Sequence, residues 1–199
     1  MKKTAPVFTE TYQQYLEKIA AIDLATVKDR IGISVDHQTA VIPLFNHTYR
    51  ISSSGIFDEN EKPAGLDVCV ILSRYLLMAP DINALQNRWV AFRDFPGSGP
   101  LTVYWQNEVE AKIIKRFSQN RDDLNRACRA LHGKPPGDDF PYDVSQTFLL
   151  LPRISALLLF NQQDDEFPAS CSVLFSQYAD RYLDIESLAI LGYLFAGSL

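Results

Sequence analysis

Apolar residues return every three or four positions from Thr9 onward. Tyr12, Tyr15, Leu16, Ile19, Ala20 and Ile22 form the stripe of an amphipathic helix. The pattern predicts Thr9 or Thr11 as its cap and Gly32 as the close of the region. The period then changes. "QTAVIPLFNHTYRISSSGIF" is rich in β-branched and aromatic residues, and Asn46-His47 interrupts it, which predicts two strands joined by a short turn. Pro43 places its strand at an edge or a bulge, because proline cannot donate to a ladder.

"GLDVCVILSRYLLMA", residues 65–79, is apolar on nearly all sides and stops before Pro80, as a buried central helix should. Asp67, Ser73 and Arg74 mark its one polar face, directed to water or to a partner group. A short strand from Trp89 to Arg93 and a glycine-proline turn follow. Val109, Ile113, Phe117, Leu124, Cys128 and Leu131 predict one long helix or two consecutive ones, stopped by Gly133. "KPPGDDFPYD" reads as a surface loop. "SQTFLLLPRISALLLFN" holds two apolar runs around Pro152-Arg153, which suit two strands or one bulged strand. Asp184 caps a last apolar helix ending near Gly197. Helices and strands in irregular order point to a single α+β domain, with a mostly antiparallel sheet packed against helices.

Composition narrows the partners. The 199 residues, 47% hydrophobic, suffice for one sizeable core, and 19 basic against 24 acidic residues give a net charge of -5. That balance offers no footprint for nucleic acid or an anionic membrane. Three scattered cysteines, Cys69, Cys128 and Cys171, fit a reducing cytoplasm. "MKKTA" is followed by polar residues rather than the apolar run of a secretion signal, and no apolar run approaches a membrane span. The expectation is a soluble cytoplasmic protein.

The strongest local feature is "DDEFPASCSVLF", residues 164–175. Were it extended, Asp164 and Glu166 would point to one side and Asp165 to the other, as a cation site or an acid-base pair requires. Alternatively Pro168 opens a helix through Leu174, Tyr178 and Tyr182, with the acids favoured by its dipole. A strand is the third reading, since Cys171, Val173 and Phe175 alternate. Arg93, beside Asp94 and between Phe92 and Phe95, suits a grip on a carboxylate or phosphate, or else a structural ion pair. His37, His47 and His132 lack the spacing of a zinc site, so no metal is expected. No glycine-rich phosphate loop and no serine-hydrolase elbow is present, and no motif names a cofactor. Cys171 lies near the three acids, which would raise its pKa and keep it from acting as a nucleophile.

In chain order, "VCVILSRYLLMAP", "WVAFRDFPG", "DDEFPASCSVLF" and the closing apolar helix resemble the family called domain of unknown function 3786, from anaerobic bacteria and archaea. The likeness runs from about Tyr12 to the C-terminus, with "DDEFPAS" and its following "LF" the most specific part. It implies no reaction and no catalytic residue. Some members are fused to a small iron-sulphur domain of the type seen in corrinoid proteins, which implies an iron-sulphur or corrinoid protein as partner. This chain lacks closely spaced cysteines, so a cluster would sit on that partner. The expected function is a non-catalytic binding or accessory module. The alternatives are a small-molecule enzyme using Asp164 and Glu166, with Arg93 or a histidine, and an interaction module using the aromatic C-terminal helix.

Overall fold

The first stripe folds as a helix, α1 (Pro6–Ala20), in a computed structural model that describes residues 6–82 and 88–199. Leu16 and Ile19 are buried and Tyr12 is half-buried. Thr9 and Thr11 lie inside α1 and do not cap it. A second helix, α2 (Leu24–Ile31), begins where the Asp23 carboxylate accepts the Ala25 N–H at 3.0 Å. Gly32 ends it with φ 71°, a left-handed conformation that suits glycine.

The last carbonyls of α2 have no intrahelical partner, and Ile31 among them is fully buried, so protein donors take them up. Gly32 and Ile33 both donate to Lys28 O. The Arg153 guanidinium reaches Asp29 O at 2.7 Å and Arg30 O at 3.1 Å. The buried Tyr75 hydroxyl donates to Ile31 O at 2.7 Å. Burial pushes that phenol far up, so it stays a donor. A Cβ at Gly32 would come within 3.2 Å of Pro152 and Arg153, so the glycine is required by space as well as by φ.

Four antiparallel strands follow as a meander, β1 (Ser34–Asp36), β2 (Thr39–Leu44), β3 (His47–Ser52) and β4 (Gly55–Phe57). Ala40, Ile42, Leu44, Ile51 and Ile56 supply the buried face. The β2–β3 turn is Phe45-Asn46, one residue earlier than expected. Pro43 is on an inner strand, but β1 reaches only Val41, so the proline lies beyond that neighbour. Then comes α3 (Leu66–Met78), whose Ile71, Leu72, Tyr75 and Leu76 are fully buried.

The second sheet has the order β5-β8-β7-β6 and is antiparallel throughout. Its strands are β5 (Trp89–Ala91), β6 (Val144–Leu151), β7 (Ile154–Asn161) and β8 (Ser170–Ser176). The expected strand over 89–93 stops at Ala91, and Phe92–Asp94 form a 3-10 turn. β6 and β7 form a hairpin around Pro152-Arg153, with an irregular register between Leu149 and Leu151. β7 is central, and Ala156 through Phe160 are all buried, which explains its unbroken apolar run. Pro168 opens no helix, because 170–176 form strand β8 with Val173 and Phe175 buried. Pairing with β7 and burial of one face decide the conformation there, and the alternating reading is the correct one.

Between β5 and β6 runs a helical stretch of α4 (Thr102–Trp105), a π turn (Gln106–Glu110) and α5 (Ala111–Phe117), followed by α6 (Arg121–Ala130). α7 (Ala179–Tyr182) and α8 (Ile185–Ser198) complete the chain. Asp184 caps α8 as expected, accepting Ser187 N–H at 2.8 Å, and also pairs with Arg74 of α3 at 2.5 Å. Burial opposes the Asp184 charge, but the Ser187 N–H and Arg74 outweigh it and hold its pKa below the usual carboxylate value. Trp105 stacks on Phe92 with ring centroids 4.4 Å apart and meets Phe175 at 5.4 Å. Gly192 of α8 leaves the space for that indole, since a Cβ there would sit 2.2 Å from the ring.

Two stability measurements test this packing. Gly192→Ala on an open helix surface would gain about 1 kcal/mol from propensity. Here the clash with Trp105 should reverse the sign, with a loss of about 1 to 3 kcal/mol in denaturant unfolding. Asp184→Ala should cost about 2 kcal/mol through the lost cap and the partly screened ion pair, and Asp184→Asn, which can still cap, less than half of that. The Asp184 contribution is complete above the unfolded-chain value of about 3.9 and fades as pH falls through its lower folded value, so wild type and Asp184→Asn should converge in acid.

Candidate functional site

The three acids occupy the loop 162–169 between β7 and β8 and are exposed. Asp164 turns its carboxylate onto the backbone, accepting Glu166 N–H at 2.9 Å and Phe167 N–H at 2.7 Å, while its own N–H donates to Phe167 O. Such a self-closed Asx turn ties down one oxygen and replaces the extended geometry that would align Asp164 with Glu166. Asp165 and Glu166 are exposed and line neither of the cavities described below. No helix follows these acids, because 170–176 form β8, so no helix dipole acts on them.

Arg93 lies apart from that loop, in the 3-10 turn Phe92–Asp94, held by the Ser98 hydroxyl donating to its carbonyl at 2.8 Å. Its contact with Asp94 is loose, at 3.8 Å, with 71% of the arginine side chain exposed. Arg93 does face a carboxylate across a cavity of about 190 Å³, but that group is Glu110. Glu110 closes the π turn and accepts Val173 N–H at 3.3 Å. β5 ends opposite Leu174, so the carboxylate takes the place of a strand at the open edge of β8. Burial pushes its pKa up, against the Val173 N–H, Trp105 and Arg93. Sequence reasoning passed over Glu110, though one signal was available. It stands at the start of a stripe with Ile113, Ile114 and Phe117, where an apolar residue belongs.

A cleft of about 640 Å³ opens between the two sheets. Trp89 and Ser176 are cross-strand partners at its base, and Ser155 N–H donates to Ser176 Oγ at 3.3 Å. Lys134 enters from the 131–143 segment by pairing its backbone with Thr147 of β6. The opposite wall is the β2–β3 turn, tied down by Asn46 Nδ2 donating to Ala130 O and by Phe45 N donating to Leu150 O. Phe45 and His132 line the cleft and both have positive φ, 53° and 57°. Phe45 occupies the first position of a two-residue hairpin turn, where glycine is the usual solution, and such backbone tension gathers at ligand sites.

Arg88 and Lys134 bring positive charge to this cleft, with the His132 imidazole beside them, and no carboxylate is among the described residues that line it. None of the ion pairs among the described residues involves these three. The other histidines stand elsewhere, His37 in the β1–β2 turn and His47 against Glu59 at 2.8 Å. Cys69 and Cys128 are buried, and burial pushes the Cys128 thiol up to about 12. The Cys171 thiol is raised by burial and then by Glu110, rather than by the neighbouring loop acids. Among the described residues no three His, Cys, Asp or Glu side chains converge as a metal site would need, and no helix is long and apolar enough to cross a membrane.

No curated protein and no solved structure matches this chain. The family model described as domain of unknown function (DUF3786) matches residues 23–198, most of the sequence, and the chain belongs to that family.

Proposed function

We propose that this domain is a non-catalytic binding module for a small organic anion with an apolar or aromatic part, held in the cleft between the two sheets. The observation that carries this reading is the reversal of sign. In a protein of net charge -5, this cleft presents Arg88 and Lys134, with His132 beside them, and no carboxylate among the described residues that line it. Charge-assisted bonds to an anion would supply the missing counter-charge, and Trp89 and the exposed Leu149 offer apolar surface to the rest of the ligand. On the strength of the family resemblance, the proposal also keeps the protein in the cytoplasm of an anaerobe, beside an iron-sulphur or corrinoid partner.

Benzoate, acetate, inorganic phosphate and benzylamine make a suitable panel for calorimetric titration. Benzoate should bind more tightly than acetate or phosphate, and benzylamine should not bind. Lys134→Gln keeps the backbone pairing with Thr147, and it should weaken benzoate by about tenfold, as should Arg88→Gln. Equal binding of benzoate and benzylamine, or benzoate binding unchanged in both variants, would contradict the proposal. The partner is tested by affinity capture under anaerobic conditions, and recovery without a cobalt- or iron-containing protein would remove that part.

A further inference from the structure

The cavity beside the π turn has walls of opposite charge. Thr102, Gln106 and Glu110 stand four residues apart on one helical face that looks into it. The π turn between Gln106 and Glu110 is itself an uncommon element, formed where Ala111 N–H reaches back to Gln106 O, and such turns concentrate at functional sites. Arg93 and Glu110 line the same cavity without forming an ion pair, and the ion-pair contact of Arg93 is the loose one with its neighbour Asp94. Opposite charges that face a common space without closing on each other leave room for a molecule that carries both signs. The volume of about 190 Å³ is more than a small amino acid fills and leaves room for one with accompanying water.

We propose that this cavity is a second binding site, for a small zwitterion of the amino-acid class, with its ammonium group on Glu110 and its carboxylate on Arg93. A guanidinium grips a carboxylate by two parallel bonds, and a carboxylate has about four lone-pair sites, so Glu110 keeps acceptor capacity beyond the Val173 N–H and Trp105. Gln106 and the Ser172 and Tyr142 hydroxyls add polar groups around the middle of the ligand. A plain anion is disfavoured by Glu110 and a plain cation by Arg93, which separates this site from the basic cleft. Occupancy would also neutralise a carboxyl that burial otherwise holds up in pKa.

Titration calorimetry with glycine, L-alanine and β-alanine, alongside the half-ligands acetate and ethylammonium, tests the assignment. Wild type should bind at least one zwitterion, with each half-ligand at least tenfold weaker. Glu110→Gln keeps an acceptor for Val173 N–H and should lose the zwitterion by tenfold or more, as should Arg93→Gln, while Lys134→Gln should leave it unchanged. Arg93 is exposed enough that its substitution serves even if the Glu110 variant fails to fold. No zwitterion binding to wild type at millimolar ligand, binding unchanged in Arg93→Gln, or loss only in Lys134→Gln would overturn the proposal.

Discussion

The last four carbonyls of a helix lack intrahelical donors, and at the end of α2, where Ile31 is fully buried, that demand is met from three directions. Lys28 O is served by the following backbone, Asp29 O and Arg30 O by Arg153, and Ile31 O by Tyr75. Arg153 is the tip of the β6–β7 hairpin and Tyr75 is in the middle of α3. The junction therefore joins the first sheet, the central helix and the second sheet through one turn of backbone. A cation at a helix C-terminus also meets the negative pole of the dipole, so the arginine contributes charge as well as hydrogen bonds.

That constraint reaches the binding cleft. With the hairpin tip fixed on α2, β6 is brought beside the β2–β3 turn, and Phe45 N–H can donate to Leu150 O. The cleft is the gap left between the two sheets on either side of that contact, closed on its third side by the residues after α6. Its positive lining comes from two segments distant in sequence, Arg88 just before β5 and His132 with Lys134 just after α6. On the far side of β8, the short length of β5 leaves an edge that Glu110 covers, and the second cavity lies there. Both candidate sites thus follow from how the second sheet is bounded.

The sequence was most legible where local periodicity and burial agree. The stripe of α1, the all-round apolar α3, the Asp184 cap and the two apolar runs of β6 and β7 were all readable, as was the α+β class. The residues 164–175 show where local rules compete. Proline and the preceding acids suit a helix start, but the pairing of 170–176 with β7 is a long-range contact that no short window contains. The sites were less legible for the same reason. Arg93 was visible as an arginine among aromatics, whereas its counterpart Glu110 is close to it only through the fold, and Arg88 meets His132 and Lys134 only between two sheets. The Asx turn at Asp164 is a local pattern, yet alternation along an extended chain gave a different geometry for the same residues.

The central claim is that the end of α2 is a shared junction and not a fraying terminus. Native-state amide hydrogen exchange at Gly32 and Ile33, whose N–H groups both donate to Lys28 O, measures this directly. The account predicts that these two amides exchange only through the global opening that also exposes Leu158 and Val173 in the second sheet. Exchange of Gly32 and Ile33 through a local opening, much faster than those sheet amides, would contradict it.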